Sequence, residues 1–136
     1  MSRTVDVVRM FIHDGERKLL LGKRAKGNKF AGKWELPGGF VESKESMIGA
    51  IARELLEETS LTLFNYSPIK TEIDTKSDKS AEYKVNYVLV QVESLADFNH
   101  NEKNSTECWQ WFAQDEMPPS EMLLGNFTFD DGCFWK

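Results

Sequence analysis

The sequence predicts a layered fold of the α/β or α+β class, in which strands lie on both sides of one amphipathic helix. Segments rich in β-branched and aromatic residues occur before and after the helix, as is typical of strands. Between them, apolar residues recur at three- and four-residue steps, which indicates one buried helical face. A chain of 136 residues with ordinary apolar content predicts one domain, residues 1–136, with its own core.

The charge and the cysteine content narrow the expected partners and compartment. A formal net charge of −5 argues against a nucleic-acid partner, because phosphate contacts need a basic surface. The N-terminus has no signal-peptide apolar region, and no apolar run is long enough to span a membrane. Cys108 and Cys133 could pair, but in a chain without an export signal we interpret them as reduced thiols. We expect a cytoplasmic protein without a membrane partner.

The first two strands are predicted at residues 4–13 and 18–23, and a turn signal at residues 14–15 indicates a hairpin between them. A Gly-rich basic loop follows at residues 24–33. Most of its lysines are interpreted as solvated. Arg24 is the exception, because it ends a strand and its planar guanidinium can bind a phosphate with two hydrogen bonds.

The helix is predicted to begin near Ser43, whose hydroxyl can cap the first backbone N–H groups. Glu45 then falls in the first turn, where the helix dipole favours a negative charge. Before the helix, Pro37 and a glycine pair mark a turn where the backbone can approach a ligand closely. The predicted apolar face of the helix consists of Met47, Ile48, Ile51 and Leu55.

Three glutamates, Glu54, Glu57 and Glu58, share another face of this helix through i,i+3 and i,i+4 spacings. Like charges at these spacings cost about 0.2–0.5 kcal/mol per pair. They also lie near the helix C-terminus, where the dipole disfavours anions. A bound Mg²⁺ or Mn²⁺ would remove both penalties, since these ions prefer oxygen ligands. The alternative is a solvated acidic face, because glutamate is a good helix former.

After the helix, Pro68 is expected to interrupt an apolar run, and residues 69–74 form a weaker strand. Residues 82–93 carry apolar side chains on both faces and are predicted as a central strand. Residues 106–114 are predicted as the last strand. Two prolines at 118 and 119 indicate a short helix that runs to Leu124.

The stretch from Gly39 to Leu61 resembles the Nudix box. That box reads Gly, five residues, Glu, seven residues, Arg-Glu, an aliphatic residue, any residue, Glu-Glu, any residue, Gly and an aliphatic residue. Ser60 stands where the family usually has Gly, so the turn that ends the helix is expected to differ. The resemblance implies the Nudix α/β/α sandwich with a mixed sheet. The matching residues are Gly39, Glu45, Arg53, Glu54, Leu55, Glu57, Glu58 and Leu61.

The resemblance further implies Mg²⁺-dependent hydrolysis, with Mn²⁺ as a possible substitute, of a phosphoanhydride in a nucleoside diphosphate linked to another group. Glu57 and Glu58 are the first-choice metal ligands, and Glu54 is a further ligand and candidate general base. Arg53 is expected to orient Glu57, and Glu45 to support either Arg53 or the loop. Glu102 and Glu107, near the last strand, are alternative general bases, although exposed loop acids are the simpler interpretation. The family also implies that the carbonyl of Gly38 joins the metal shell.

The lead-in Trp-x-Leu-Pro-Gly-Gly is similar to that of the MutT-like branch, which converts nucleoside triphosphates, (d)NTPs, to a monophosphate and pyrophosphate. ADP-ribose pyrophosphatases share this lead-in but often carry a proline about fifteen residues past the box, and Lys76 lies near that place here. We therefore expect a (d)NTP substrate, with an ADP-ribose or nucleotide-sugar pyrophosphatase as the alternative.

A second class stays open, a nucleotide-sensing Nudix module without turnover, although the intact Arg-Glu-x-x-Glu-Glu core argues against it. Gly39 and Arg24 are expected at the substrate. Phe30, Phe127 or Trp135 is expected to stack on the base, while Trp34 is interpreted as a core residue. Nudix proteins are often dimers, which leaves a homodimer open.

Overall fold

A computed structural model describes residues 3–14, 16–74, 81–99 and 106–132. Within this part of the chain there are eight strands, one α-helix and three 3₁₀ turns. No helix among the described residues is long and apolar enough to cross a membrane. The elements in chain order are β1 (Arg3–Ile12), β2 (Leu19–Arg24), β3 (Trp34–Glu35), β4 (Gly38–Phe40), α1 (Met47–Thr59), β5 (Leu63–Asp74), β6 (Ala81–Val92), β7 (Thr106–Phe112), the 3₁₀ turns Gln114–Glu116 and Ser120–Met122, β8 (Leu123–Leu124) and the 3₁₀ turn Phe129–Asp131.

The strands form two mixed sheets of four strands each, ordered β4-β1-β6-β5 and β7-β2-β3-β8. In the first sheet β1 runs parallel to β6, while β4 and β5 are antiparallel to their neighbours. In the second, β2 is antiparallel to β3 and β7, and β3 is parallel to β8. The predicted mixed α+β fold is thus confirmed, and the strand predicted at residues 82–93 is central in its sheet.

The core lies on both faces of the strands because side chains alternate between faces. Met10 and Ile12 of β1 pack in a cluster with Ile51 and Leu55 of α1. Phe11, between them in sequence, packs instead in a cluster with residues of the C-terminal segment, including Phe127 and Phe129. Helix α1 therefore covers one side of the strands and the C-terminal segment covers the other.

The hairpin predicted between the first two strands is wrong. β1 and β2 belong to different sheets. Among the described residues, one isolated bridge between His13 and Leu19 joins the end of β1 to the start of β2. The Asp14 carboxylate accepts the backbone N–H groups of Glu16 and Lys18, each at 2.8 Å, and so closes the turn. β1 has buried side chains on both faces, which favours a place between two other strands over an exposed hairpin.

Two predicted boundaries after the helix are also wrong. β5 continues through Pro68, where a register shift replaces an interruption. It is an edge strand, so the missing N–H of proline costs no ladder bond on its open side. The short helix predicted from the two prolines to Leu124 is one 3₁₀ turn, Ser120–Met122, followed by β8.

The start of α1 differs from the prediction, because Ser46 rather than Ser43 caps it. The Ser46 hydroxyl accepts the N–H of Gly49 at 3.1 Å. Lys44 has a φ of 69° and turns the chain before the helix, so Glu45 precedes the cap instead of lying in the first turn. Ile48 is 53% exposed and does not belong to the buried face that was predicted for it.

The end of α1 keeps the left-handed turn that a glycine would favour. Ser60 adopts a φ of 63° and a ψ of 12°, and its N–H donates to the carbonyl of Leu56 at 2.9 Å. A residue with a Cβ pays about 1–2 kcal/mol for this conformation. The turn at Ser60 therefore has the conformation that glycine would adopt, and the serine differs from glycine only in the energetic cost of that conformation.

Candidate active site

Two glycines allow β4 to lie directly against the carboxylates of α1. The N–H of Gly38 donates to Glu58 Oε2 at 3.0 Å. A Cβ at Gly38 would collide with the carbonyl oxygen of Val8, and a Cβ at Gly39 would lie only 2.5 Å from Glu54 Oε1. The Gly-Gly turn thus fixes how closely the strand approaches the acidic helix face.

Arg53 is the centre of a hydrogen-bonded network around these carboxylates. Its Nε and Nη2 donate to the two oxygens of Glu45 at 2.7 and 2.8 Å, and its Nη1 donates to Glu54 Oε1 at 2.9 Å. Nη2 also donates to the carbonyl of Phe40 at 3.0 Å, which ties α1 to β4. The predicted contact with Glu57 is present but longer, at 3.5 Å.

The network favours the charged forms of Glu45 and Arg53. The hydrogen bond from Arg53 is the main reason why the pKa of the Glu45 carboxyl falls from 4.5 to about 2. The same bond is the main cause that raises the pKa of the Arg53 guanidinium. Glu45 lies before the helix cap and still makes the predicted supporting contact with Arg53.

The three helix glutamates differ in their access to solvent. Glu54 and Glu58 are only 6% and 5% exposed, whereas the Glu57 side chain is 45% exposed. No group of three or more His, Cys, Asp or Glu side chains among the described residues is arranged to hold a metal ion. The chemistry of the donor set nevertheless fits Mg²⁺ or Mn²⁺, because carboxylate oxygens are the ligands of such hard cations. Metal binding would require these carboxylates to turn toward one another, in competition with Arg53 and the Gly38 N–H.

A cleft of about 360 Å³ lies beside the Gly-Gly turn and brings together the three residues predicted to bind substrate, Arg24, Gly39 and Phe30. Arg24 at the end of β2 is held by the Lys29 carbonyl at 3.3 Å. Phe30 is 48% exposed in a left-handed conformation with a φ of 64°. The ammonium groups of Lys29 and Lys33 lie 5.1 and 5.7 Å from its ring centroid.

Sequence reasoning missed several other residues that line this cleft. Arg9 is one of them, and it comes from the centre of β1. The signal that could have found it is an arginine with apolar neighbours on both sides in the predicted first strand, since such a side chain is seldom placed there without a partner. The partner is Glu35, whose Oε1 lies 3.4 Å from Arg9 Nη1. Further lining residues that sequence reasoning missed include Phe40, Asp74 and Tyr83.

Some predicted candidates lie elsewhere. Glu107 is exposed on β7, pairs with Lys23 at 3.5 Å and does not line the cleft. Phe127 is buried in the core, where its ring packs edge-on against Phe11, so its interpretation as a base-stacking residue is wrong. Glu102 and Trp135 lie outside the described residues. Trp34 is partly buried and packs edge-on against Phe112, as expected of a core residue.

Residues 3–131 match the family model of the NUDIX domain. Among curated proteins, the chain is 46% identical over 65 residues to an m7GpppN-mRNA hydrolase of Danio rerio. The aligned stretch covers 46% of this chain and 22% of that protein. It is 43% identical over 69 residues to an ADP-ribose pyrophosphatase of Methanocaldococcus jannaschii, covering 44% and 40%. A putative 8-oxo-dGTP diphosphatase of Mycobacterium tuberculosis is 46% identical over 43 residues, covering 32% and 30%. The chain thus spans well under half the length of these relatives.

Solved structures share the fold. A MutT NUDIX hydrolase from Burkholderia pseudomallei aligns with a TM-score of 0.73 at 24% identity, covering 87% of this chain and 89% of that one. A MutT protein from Methanosarcina mazei aligns with a TM-score of 0.68 at 23% identity, covering 84% and 80%. These likenesses concern the path of the backbone over most of both chains.

Proposed function

The chain belongs to the Nudix family, and from this premise we propose that it hydrolyses a phosphoanhydride in a nucleoside diphosphate linked to another group. One observation carries the proposal. Gly39 lines the cleft and at the same time lies directly over the Glu54 carboxylate of α1. A nucleotide in the cleft would therefore present its phosphates at the acidic face of the helix.

The chain's own residues divide the work of binding and catalysis. Arg24 binds a substrate phosphate from the end of β2, and Phe30 stacks on the base. Mg²⁺ or Mn²⁺ would be held by Glu57, Glu58, Glu54 and the carbonyl of Gly38. When bound, such a cation neutralises the charge of the diphosphate and makes the attacking water more acidic.

Arg53 positions the carboxylates, and Glu54 accepts the proton of the attacking water as the first-choice general base. Glu54 is the best candidate because it is nearly buried beneath the cleft edge and one oxygen is already oriented by Arg53. Glu102, which precedes β7 in the sequence, is the alternative base.

Within this class, we propose a MutT-like (d)NTP pyrophosphohydrolase that releases a nucleoside monophosphate and pyrophosphate. The absence of a proline near Lys76 favours this choice, and one relative is named as a putative 8-oxo-dGTP diphosphatase. An ADP-ribose or nucleotide-sugar pyrophosphatase is the second candidate, because a stretch of 69 residues is 43% identical to an ADP-ribose pyrophosphatase. The proposed partner is a small nucleotide, and a homodimer is the proposed assembly to examine.

The test is a hydrolysis screen with Mg²⁺ and chromatographic separation of the products. The panel holds canonical and oxidised (d)NTPs, ADP-ribose, nucleotide sugars, dinucleoside polyphosphates and an m7GpppN-capped RNA. A monophosphate and pyrophosphate from triphosphates is the expected result. AMP and ribose 5-phosphate from ADP-ribose would support the second candidate. Tight nucleotide binding without turnover would contradict the enzymatic proposal and favour a sensor.

Two controls tie activity to the site. Removal of divalent cations by EDTA should abolish turnover, and added Mg²⁺ or Mn²⁺ should restore it. Glu57→Gln keeps the shape of the side chain and should lower kcat/KM by on the order of 10²-fold or more. Glu93→Gln, an exposed change at the end of β6, should leave it unaltered. Parent activity in Glu57→Gln would show that the metal assignment is wrong.

A further inference from the structure

Arg9 and Glu35 form a donor and acceptor pair in the cleft to which the proposed function gives no task. Arg9 Nη1 lies 3.4 Å from Glu35 Oε1 and also donates to the Leu36 carbonyl at 3.1 Å. On the other side, Glu35 Oε2 lies 3.7 Å from Arg24 Nη1. Both ion pairs are longer than the roughly 2.7–2.9 Å of a strong charge-assisted bond. A ligand can therefore take over these hydrogen-bonding positions.

The pair is accessible from the cleft and fixed by the strands. The side chains of Arg9 and Glu35 are 28% and 15% exposed, and both line the cleft. Arg9 lies opposite Gly38 in the ladder between β1 and β4, and Glu35 is in β3. The two charged groups thus come from two different sheets and lie side by side on the lining of the cleft.

The surroundings of the pair fit a flat heterocycle. Val7 of β1 lies between Phe40 of β4 and Val85 of β6 in the sheet, and all three line the cleft. The Phe40 ring packs against Tyr83 with 6.2 Å between centroids. Such apolar and aromatic surfaces bury the faces of a base, while a charged pair can read its edge.

We propose that Arg9 and Glu35 read the base and select guanine nucleotides over adenine nucleotides, an inference that rests on the proposed function and refines it. The Watson–Crick edge of guanine presents an acceptor, O6, followed by two donors, N1–H and N2–H₂. A guanidinium beside a carboxylate presents a donor followed by two acceptors, which is the complementary order. Adenine presents a donor at N6 and an acceptor at N1, which places like groups together.

Uracil and thymine are expected to bind with an affinity between those of guanine and adenine, and cytosine is expected to bind as weakly as adenine. Uracil and thymine match two of the three positions, because they present an acceptor, a donor and an acceptor. Cytosine presents a donor followed by two acceptors and fits none. The 8-oxo form of guanine keeps the same edge, so this pair distinguishes the base and does not distinguish oxidised from unoxidised guanine.

Two measurements test this reading separately from catalysis. Binding of GMP and AMP is measured by calorimetry, since neither has a phosphoanhydride to cleave, and kcat/KM is measured for GTP and ATP with Mg²⁺. In the parent chain GMP should bind more tightly, and GTP should be preferred on the order of 10-fold or more. Glu35→Gln replaces one acceptor by a donor and should reduce the preference to near one. Glu93→Gln, the matched charge change outside the cleft, should keep it.

The outcomes separate the two proposals. Turnover of GTP and ATP at equal kcat/KM in the parent would overturn the base reading and leave the hydrolase proposal intact. An equal loss for GTP and ATP in Glu35→Gln would also overturn it, because Glu35 would then only position Arg24. A GMP preference that Glu35→Gln removes, in a chain without turnover, would uphold the base reading while the hydrolase proposal failed.

A second variant keeps the test decisive if Glu35→Gln does not fold by circular dichroism. Arg9→Lys keeps one cation but loses the planar fork, so it should reduce the preference for GMP several-fold while GMP and AMP still bind. An unchanged ratio of GMP to AMP affinity in folded Arg9→Lys would contradict the role of Arg9.

Discussion

Replacing Gly39 by alanine tests whether Glu54 must stay where β4 holds it. The added Cβ would lie 2.5 Å from Oε1 and 2.8 Å from Oε2 of the Glu54 carboxylate. Ordinary contact begins at 3.4 Å, so the strand or the carboxylate would have to move by the difference of 0.9 Å. The carboxylate has little freedom to move, because it is 6% exposed and Arg53 Nη1 holds Oε1 at 2.9 Å.

The expected loss follows from this displacement. A misplacement of about 1 Å at a catalytic group can cost on the order of 10²-fold in rate. We therefore expect kcat/KM of Gly39→Ala to fall by about 10²-fold. Overpacking of this kind should also lower the free energy of unfolding by about 1–3 kcal/mol.

The assay compares steady-state hydrolysis of the preferred nucleotide at saturating Mg²⁺ with denaturant unfolding of the same preparations. Gly49→Ala is the matched control, because it adds the same methyl group to α1 at its capped end, where the nearest atom is the Ser46 hydroxyl at 3.0 Å. Its kcat/KM should stay within about twofold of the parent, since only a misplaced catalytic group carries the large loss. Folded Gly39→Ala with parent kcat/KM would refute the idea that the contact with Glu54 sets the catalytic geometry.

Three further predictions concern the Arg53 network, the end of α1 and the pH dependence of stability. Arg53→Lys cannot reproduce the paired bonds to Glu45, so kcat/KM should fall by roughly 10- to 100-fold, and an unchanged value would show that the network is dispensable. Ser60→Gly should raise the free energy of unfolding by about 0.5–1 kcal/mol in denaturant titrations. The reason is that the cost of the left-handed conformation exceeds the entropy that glycine adds to the unfolded chain. A free energy of unfolding below that of the parent chain would contradict this. Acid should destabilise the fold in two ranges. Burial lowers the pKa of His13 from 6.5 to about 4, so the unfolded state takes up a proton first and stability falls from pH 6.5 to 4. The lowered pKa of Glu45 adds stability above pH 4.5 that is lost toward pH 2. In thermal melts across pH, the loss of stability from pH 6.5 to 4 should be absent in His13→Gln, and the loss from pH 4.5 to 2 should be absent in Glu45→Gln. Profiles of both variants that run parallel to the parent profile would contradict the assignment.

The sequence was sufficient for the acidic face of α1 because helical spacing is local. Glu54, Glu57 and Arg53 lie within two turns, so the 3.6-residue period alone decides that they are neighbours. The helix start was harder to predict. Ser43 and Ser46 are both good capping residues, and the choice depends on the left-handed conformation of Lys44, which no local preference demands.

The rest of the site depends on pairing between distant strands. Arg9 reaches the cleft only because β1 pairs with β4 on one side and β6 on the other, which sets Arg9 opposite Gly38 and Tyr87. Because side chains alternate with a period of two, a shift of one residue in that register would turn Arg9 toward α1 and Val8 toward the cleft. The buried Val8, Met10 and Ile12 on the helix side forbid such a shift, since it would bury a guanidinium in the core. The apolar residues of β1 that carry no chemistry thus determine which charged residue faces the cleft.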